Sequence, residues 1–203
     1  GFGEQTGIDL GGEKEGYLPD ETKKKEGGRN WTIGDTYNLS IGQGDILVTP
    51  LQMAVYVSTI ASKGFTPYPH LAKAIVDENK KVLEIFSYPH KKENILNNEI
   101  FKIVRESMRE AVLSGTAQGL SGFSIPVAAK TGTAEIGDTD RTHSWSIGFF
   151  PYDNPKIAFA ILMDSGPRSN LVGATFVAAE TLRWMESTGF LSKLGNDTIL
   201  TKD

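Results

Sequence analysis

Three stretches of strand-forming residues, Val127 to Ala134, Ser144 to Phe150 and Lys156 to Met163, follow one another with only short polar turns between them. Connections that short cannot house a crossover, so successive strands are expected to pair antiparallel. Asp153-Asn154-Pro155 supplies strong turn chemistry for the second connection. In the last stretch both alternating sets, Ile157-Phe159-Ile161-Met163 and Ala158-Ala160-Leu162, are apolar, which predicts a strand covered on both faces. Gly173 to Ser187 then carries Ala174, Val177, Ala178, Thr181, Leu182 and Met185 on one side, the pattern of a helix packed against that sheet. The fold class expected is mixed α/β (α+β), an antiparallel sheet flanked by helices.

Upstream, residues 1–48 hold many glycines and charges and few apolar residues, and read as an extended, loop-rich segment that is not a self-sufficient unit. Residues 49–120 read as mostly helical. Thr49 is a plausible N-cap, Pro50 suits the first helical position, and an apolar run continues to the stop at Gly64. A second helix starts near Asn97 or Asn98 and spaces Ile100, Phe101, Val104, Met108, Ala111 and Val112 three and four apart, with Lys102, Arg105, Glu106, Arg109 and Glu110 facing outward. Between the helices, Leu71 to Ile75 and Val82 to Phe86 flank Asp77-Glu78-Asn79-Lys80 as a two-stranded excursion. Residues 121–203 complete the chain with the three strands and a C-terminal helix.

Charge narrows the partners. A net charge of -4 offers no general attraction to nucleic acid, and the one basic run, Lys23-Lys24-Lys25, sits beside Glu21 and Glu26 and reads as a solvated loop. No apolar stretch approaches the roughly 20 residues of a membrane span, and Gly-Phe-Gly-Glu at the N-terminus has neither a basic nor an apolar targeting region. The absence of cysteine removes disulfides and thiolate metal sites.

The chemistry rests on Lys130-Thr131-Gly132-Thr133, at the end of the first strand. A Lys-Thr-Gly triplet is one of three motifs of serine acyl-transfer enzymes that bind penicillins. Alone it is weak, since it arises by chance in a few per cent of chains this long, about 200 windows over 8,000 triplets. On a strand edge it can present a cation, two hydroxyls and backbone N–H groups to a peptide added as a further strand, with Gly132 letting that backbone approach. The plain alternative is an exposed strand whose lysine is a solvated edge charge. The other two motifs, Ser-x-x-Lys and Ser-x-Asn, do not occur. Thr22 and Lys25 have the first spacing in a charged loop, and Tyr152-Asp153-Asn154 mimics the second but follows the triplet and ends in a proline turn.

Neighbouring motifs strengthen the reading. Thr6-Gly7-Ile8-Asp9-Leu10 with Gly11-Gly12-Glu13, Trp31 with Gly34-Asp35-Thr36, Ser40-Ile41-Gly42-Gln43-Gly44 with Val48 to Ala54, Gly115-Thr116-Ala117, Ala129 to Ala134, and Arg141 to Trp145 with Gly148-Phe149 stand in one order along nearly the whole chain. In these the sequence resembles the C-terminal part of the transpeptidase domain of class B penicillin-binding proteins, nearest the elongation type. The resemblance implies a serine β-lactamase/transpeptidase-like fold, incomplete in this chain, whose five-stranded sheet takes two strands from segments outside it. It further implies a parent D,D-transpeptidase that cross-links peptidoglycan stem peptides ending in D-Ala-D-Ala through a serine acyl-enzyme and is blocked by β-lactams. Lys130 then supports the site electrostatically, Thr131 and Thr133 hold the substrate carboxylate with Gly132 between them, and the Thr133 N–H is one half of the oxyanion hole. The chain by itself is expected to be inactive. Expected partners are the upstream part of the same domain, proteins of the cell-elongation complex and, through an open strand edge, a second copy. No cofactor is expected, and the parent is expected at the extracytoplasmic face of a bacterial cytoplasmic membrane. Two alternatives stay open, a non-catalytic module that binds cell-wall peptide, and a serine β-lactamase or D,D-carboxypeptidase.

The remaining signals are weaker. His70, His90 and His143 lack metal-ligand spacing, and Asp138 and Asp140 lack the rest of a calcium loop. His143 reads as structural, Trp31, Trp145 and Trp184 as packing residues, and Gly42-Gln43-Gly44 as too sparse for a nucleotide loop.

Overall fold

The computed structural model describes residues 1–88, 97–137, 139–170 and 172–194. The chain forms two units, Gly1–Val55 with Tyr68–His90, and Tyr56–Pro67 with Lys91–Asp203.

In the first unit, α1 (Glu21–Glu26) begins at Asp20, whose side chain accepts from Lys23 N. α2 (Ile33–Ser40) begins at Thr32, which exchanges hydrogen bonds with Asp35 in a capping box. Both helices fall where an extended segment was expected. Neither buries a residue, so neither shows the apolar periodicity that marks a helix in a sequence. Caps and charge hold them instead. Lys24 pairs with Asp35 and lies over the Trp31 ring, 5.7 Å from its centre, so the lysine run is part of a helix rather than a solvated loop.

Three polar side chains staple the loops of this unit. The Glu13 carboxylate accepts from Thr6 N at 2.8 Å, Thr6 Oγ1 at 2.6 Å and Gly7 N at 3.1 Å. Asp9 accepts from Leu71 N at 2.7 Å and Ala72 N at 2.8 Å, bonds that lower its pKa. Gln52 opens α3 (Pro50–Ala61) in a reciprocal pair with Thr49, and its Nε2 donates to Glu4 O and Glu15 O at 2.9 and 2.8 Å. β1 (Ala74–Val76) and β2 (Val82–Ile85) form the expected antiparallel hairpin around Asp77.

The second unit is built on the expected sheet. β3 (Ala128–Glu135), β4 (Arg141–Phe150) and β5 (Ile157–Pro167) pair antiparallel in that order. α5 (Ala174–Ser187) and α6 (Phe190–Leu194) cover one face, where Ala178, Leu182 and Leu191 meet Ala129 and Phe150 in the core. Gly148 leaves no room for a side chain in β4, because a Cβ there would stand 2.5 Å from Ala128 O and 2.6 Å from the Phe159 ring. α4 (Asn98–Leu113), capped by Asn97, buries Phe101, Met108 and Val112 as expected.

Three expectations on orientation fail. Arg105 is buried rather than outward, and Arg109 donates to Val127 O at 2.8 Å while Ile100 is 44% exposed. Arg105 donates to Ala61 O and Tyr152 O and lies over the Phe149 and Tyr152 rings, so hydrogen bonds and π faces replace its water. Second, Ile157 to Met163 are only half-buried, since β4 is the one partner of β5 among the described residues. Third, Trp184 is 63% exposed on the outer side of α5 rather than a packing residue.

Candidate active site

β3 carries Lys130, Thr131, Gly132 and Thr133 opposite Ile147, Ser146, Trp145 and Ser144 of β4. Alternation along a strand sends Thr131 and Thr133 to one face with Ser146 and Ser144, and Lys130 to the other with Ile147. Cation and hydroxyls therefore do not lie on one line; they share only the strand edge. That edge is open to an added strand in the sense that β3 pairs with β4 alone among the described residues. Lys130, Gly132 and Thr133 are exposed and Thr131 half-buried. The Lys130 ammonium turns back onto its own strand and donates to the Thr131 carbonyl.

Thr116 is a site neighbour that motif spacing did not single out. Its Oγ1 lies 2.6 Å from Thr131 Oγ1. It reaches that position from the turn after α4, where Ala117 N donates to Ala111 O at 2.9 Å and Leu120 N to Ala117 O at 2.9 Å. A Gly-Thr-Ala run after a helix stop was the available signal. Ser146 is a second such residue. Fully buried behind Thr131, its hydroxyl makes no hydrogen bond among the described residues.

The other candidates have structural surroundings. His143 Nδ1 lies 2.8 Å from Asp164 Oδ1, which ties β4 to β5. Tyr152 N donates to Pro126 O at 2.8 Å, making Tyr152-Asp153-Asn154 a turn between strands. Gly42 N and Gln43 N donate to Leu39 O and Asn38 O, so that glycine pair closes α2. Thr22 is exposed on α1. Among the described residues no three His, Asp or Glu side chains gather as a metal ion needs; His90 and Asp138 lie outside those residues. No described helix is long and apolar enough to cross a membrane.

Residues 1–183 match the family model described as the penicillin binding protein transpeptidase domain. The chain is 32% identical over 182 residues to the peptidoglycan D,D-transpeptidase MrdA of Acinetobacter baumannii, a match covering 82% of this chain and 27% of that protein. Among solved structures it is similar to penicillin-binding protein 2 of Helicobacter pylori in complex with MreC, with a TM-score of 0.74 at 34% identity, covering 94% of this chain and 34% of that one. It is similar also to penicillin-binding protein A of Mycobacterium tuberculosis as its imipenem acyl-enzyme, with a TM-score of 0.60 at 28% identity over 71% of this chain and 33% of that one. The chain thus spans about a quarter of the length of the curated relative it matches.

Proposed function

The chain belongs to the penicillin-binding protein transpeptidase domain family, and on that premise we propose that it forms one wall of a peptidoglycan D,D-transpeptidase site. The observation that carries this is the edge strand β3, which holds Lys130, Thr131, Gly132 and Thr133 in the family's order beside one open ladder position. A stem peptide ending in D-Ala-D-Ala adds to that edge as a further strand. Its carboxylate meets the Thr131 and Thr133 hydroxyls, while the Lys130 cation on the opposite face of the strand gives electrostatic support. The Thr133 N–H then faces the penultimate carbonyl as one of two oxyanion donors. Removing one such donor costs about 3 to 4 kcal/mol in the transition state.

The attacking serine lies outside these 203 residues, in which no serine has a lysine three positions on. The active enzyme forms when this wall meets the part of the domain that carries the nucleophile. β-Lactams occupy the same edge and stop at the acyl-enzyme, the kind of complex that the mycobacterial relative forms with imipenem. The parent works at the extracytoplasmic face of the bacterial membrane, within an elongation complex of the kind in which the Helicobacter relative binds MreC. Such a role needs no cofactor, because the acyl transfer is carried by side chains and backbone.

Intact mass after incubation with excess β-lactam tests the reading. A covalent adduct is expected on a polypeptide extended upstream through a Ser-x-x-Lys motif and not on the 203-residue chain. An adduct on the shorter chain would mean that a nucleophile lies within it and would overturn the assignment.

A further inference from the structure

A cavity of about 400 Å³ lies at the end of the sheet away from Thr133 and Glu135, beside Ile157 and Ala158 at the start of β5. The turn after α3 brings Ser62 and Lys63 to it, α4 brings Arg105, and the turn between β4 and β5 brings Asp153, Asn154 and Lys156. Its volume falls within the range of small-molecule sites, about 300 to 1,000 Å³. Three cations and one carboxylate line it, on a chain whose net charge is -4. That local excess of positive charge calls for an anion.

The lining groups narrow the choice further. Arg105 is 5% exposed, and the Ala61 and Tyr152 carbonyls take two of the five N–H donors of its guanidinium. A guanidinium so held is a preset fork for phosphate oxygens, and Lys63 adds a point charge beside it. Lys63 stands in the left-handed backbone conformation, φ 60°, which closes α3 and sets its side chain at the cavity. The Ser62 hydroxyl turns its proton onto backbone carbonyls, 2.6 Å from Phe65 O and 3.2 Å from Thr59 O, so its oxygen is left to accept. The Asp153 carboxylate is an acceptor too. Acceptors beside cations suit an anion that also carries hydroxyls better than a bare phosphate ion, and Ala61, Pro155 and Ile157 offer apolar wall to its carbon chain.

We propose that this cavity binds a phosphate ester of a polyol, Lys63 and Arg105 holding the phosphate while Ser62 and Asp153 accept from its hydroxyls. The site does not depend on the reading of β3. Calorimetric titration of the 203-residue chain and of the upstream-extended polypeptide with glycerol 3-phosphate and with inorganic phosphate tests it. Glycerol 3-phosphate is expected to bind both polypeptides about tenfold more tightly than inorganic phosphate, the worth of one or two hydrogen bonds. Lys63→Asn, which tolerates the left-handed conformation, is expected to weaken glycerol 3-phosphate about tenfold. Asp153→Asn, equally suited to a turn, is expected to remove the preference over inorganic phosphate. No binding of glycerol 3-phosphate, equal binding of the two ligands, an unchanged response in either variant, or loss of binding in the longer polypeptide would overturn the proposal. Flotation with vesicles of phosphatidylglycerol or phosphatidylserine, both anionic but only the first with a polyol headgroup, separates two sources of the ester. Retention by phosphatidylglycerol alone, lost in Lys63→Asn, assigns the site to a lipid headgroup; any other flotation result leaves the soluble ester as the source.

Discussion

Arg105 holds the Ala61 and Tyr152 carbonyls from a position that is only 5% exposed, and the Phe149 ring sits 4.8 Å below its guanidinium. Burial lowers its pKa, yet a guanidinium remains charged at neutral pH. Arg105→Leu fills the same space but strands two acceptors, so urea unfolding is expected to show a loss of about 3 kcal/mol. Arg105→Lys is expected to recover only part, since an ammonium cannot serve both carbonyls with the planar fork. Thr116 acts differently, by fixing the Thr131 hydroxyl through a 2.6 Å contact. In an upstream-extended polypeptide that carries the nucleophile, Thr116→Val is expected to slow β-lactam acylation by about fivefold, the equivalent of one ordinary hydrogen bond, with little change in melting temperature. An unchanged acylation rate would show that Thr131 needs no such partner.

The pair α1 and α2 is held by polar contacts, which makes it sensitive to acid. Asp35 has its pKa lowered to about 2, first by its hydrogen bond with Lys24 and then by those from Thr32. A carboxylate depressed in the folded state stabilises it above the ordinary value of 3.8, and that contribution is lost as pH falls from there through about 2. The Trp31 indole N–H, bonded to Thr36 Oγ1 at 2.8 Å beside this pair, is expected to keep its NMR shift down to pH 4 and move between pH 4 and 2. Movement already near pH 6 would point to another group. In β4 the sensitive feature is steric. Gly148→Ala places a Cβ against both Ala128 O and the Phe159 ring, and a cost of at least about 2 kcal/mol is expected by thermal unfolding. Shortening Phe159 to leucine should not rescue it, because the Ala128 oxygen belongs to the backbone.

For the molecule entire, the outer edge of β5 pairs with no other strand among the described residues. Edge groups of this kind recruit another chain, so the isolated polypeptide is expected to associate as concentration rises, and a monomer by light scattering at high concentration would count against it. The sheet, α4, α5 and the hairpin were legible because apolar periodicity and turn residues carry them. α1 and α2 were not, because a capping box and an ion pair leave no apolar period to read. Lys130 to Thr133 could be found as a string, and alternation along the expected strand already splits Lys130 from both threonines, whereas their partners on β4 needed the ladder. Arg105 misled because a charge on an amphipathic helix reads as outward until the aromatic pair beneath it is known. The ladder itself has a further consequence. β3 and β4 pair without a shift from Ala128 and Phe149 to Glu135 and Thr142, while the irregularity between Thr142 and Ser144 is confined to the β4 and β5 side. Lengthening or shortening the connection between Glu135 and Arg141 is therefore expected to leave Lys130 to Thr133 in phase with β4.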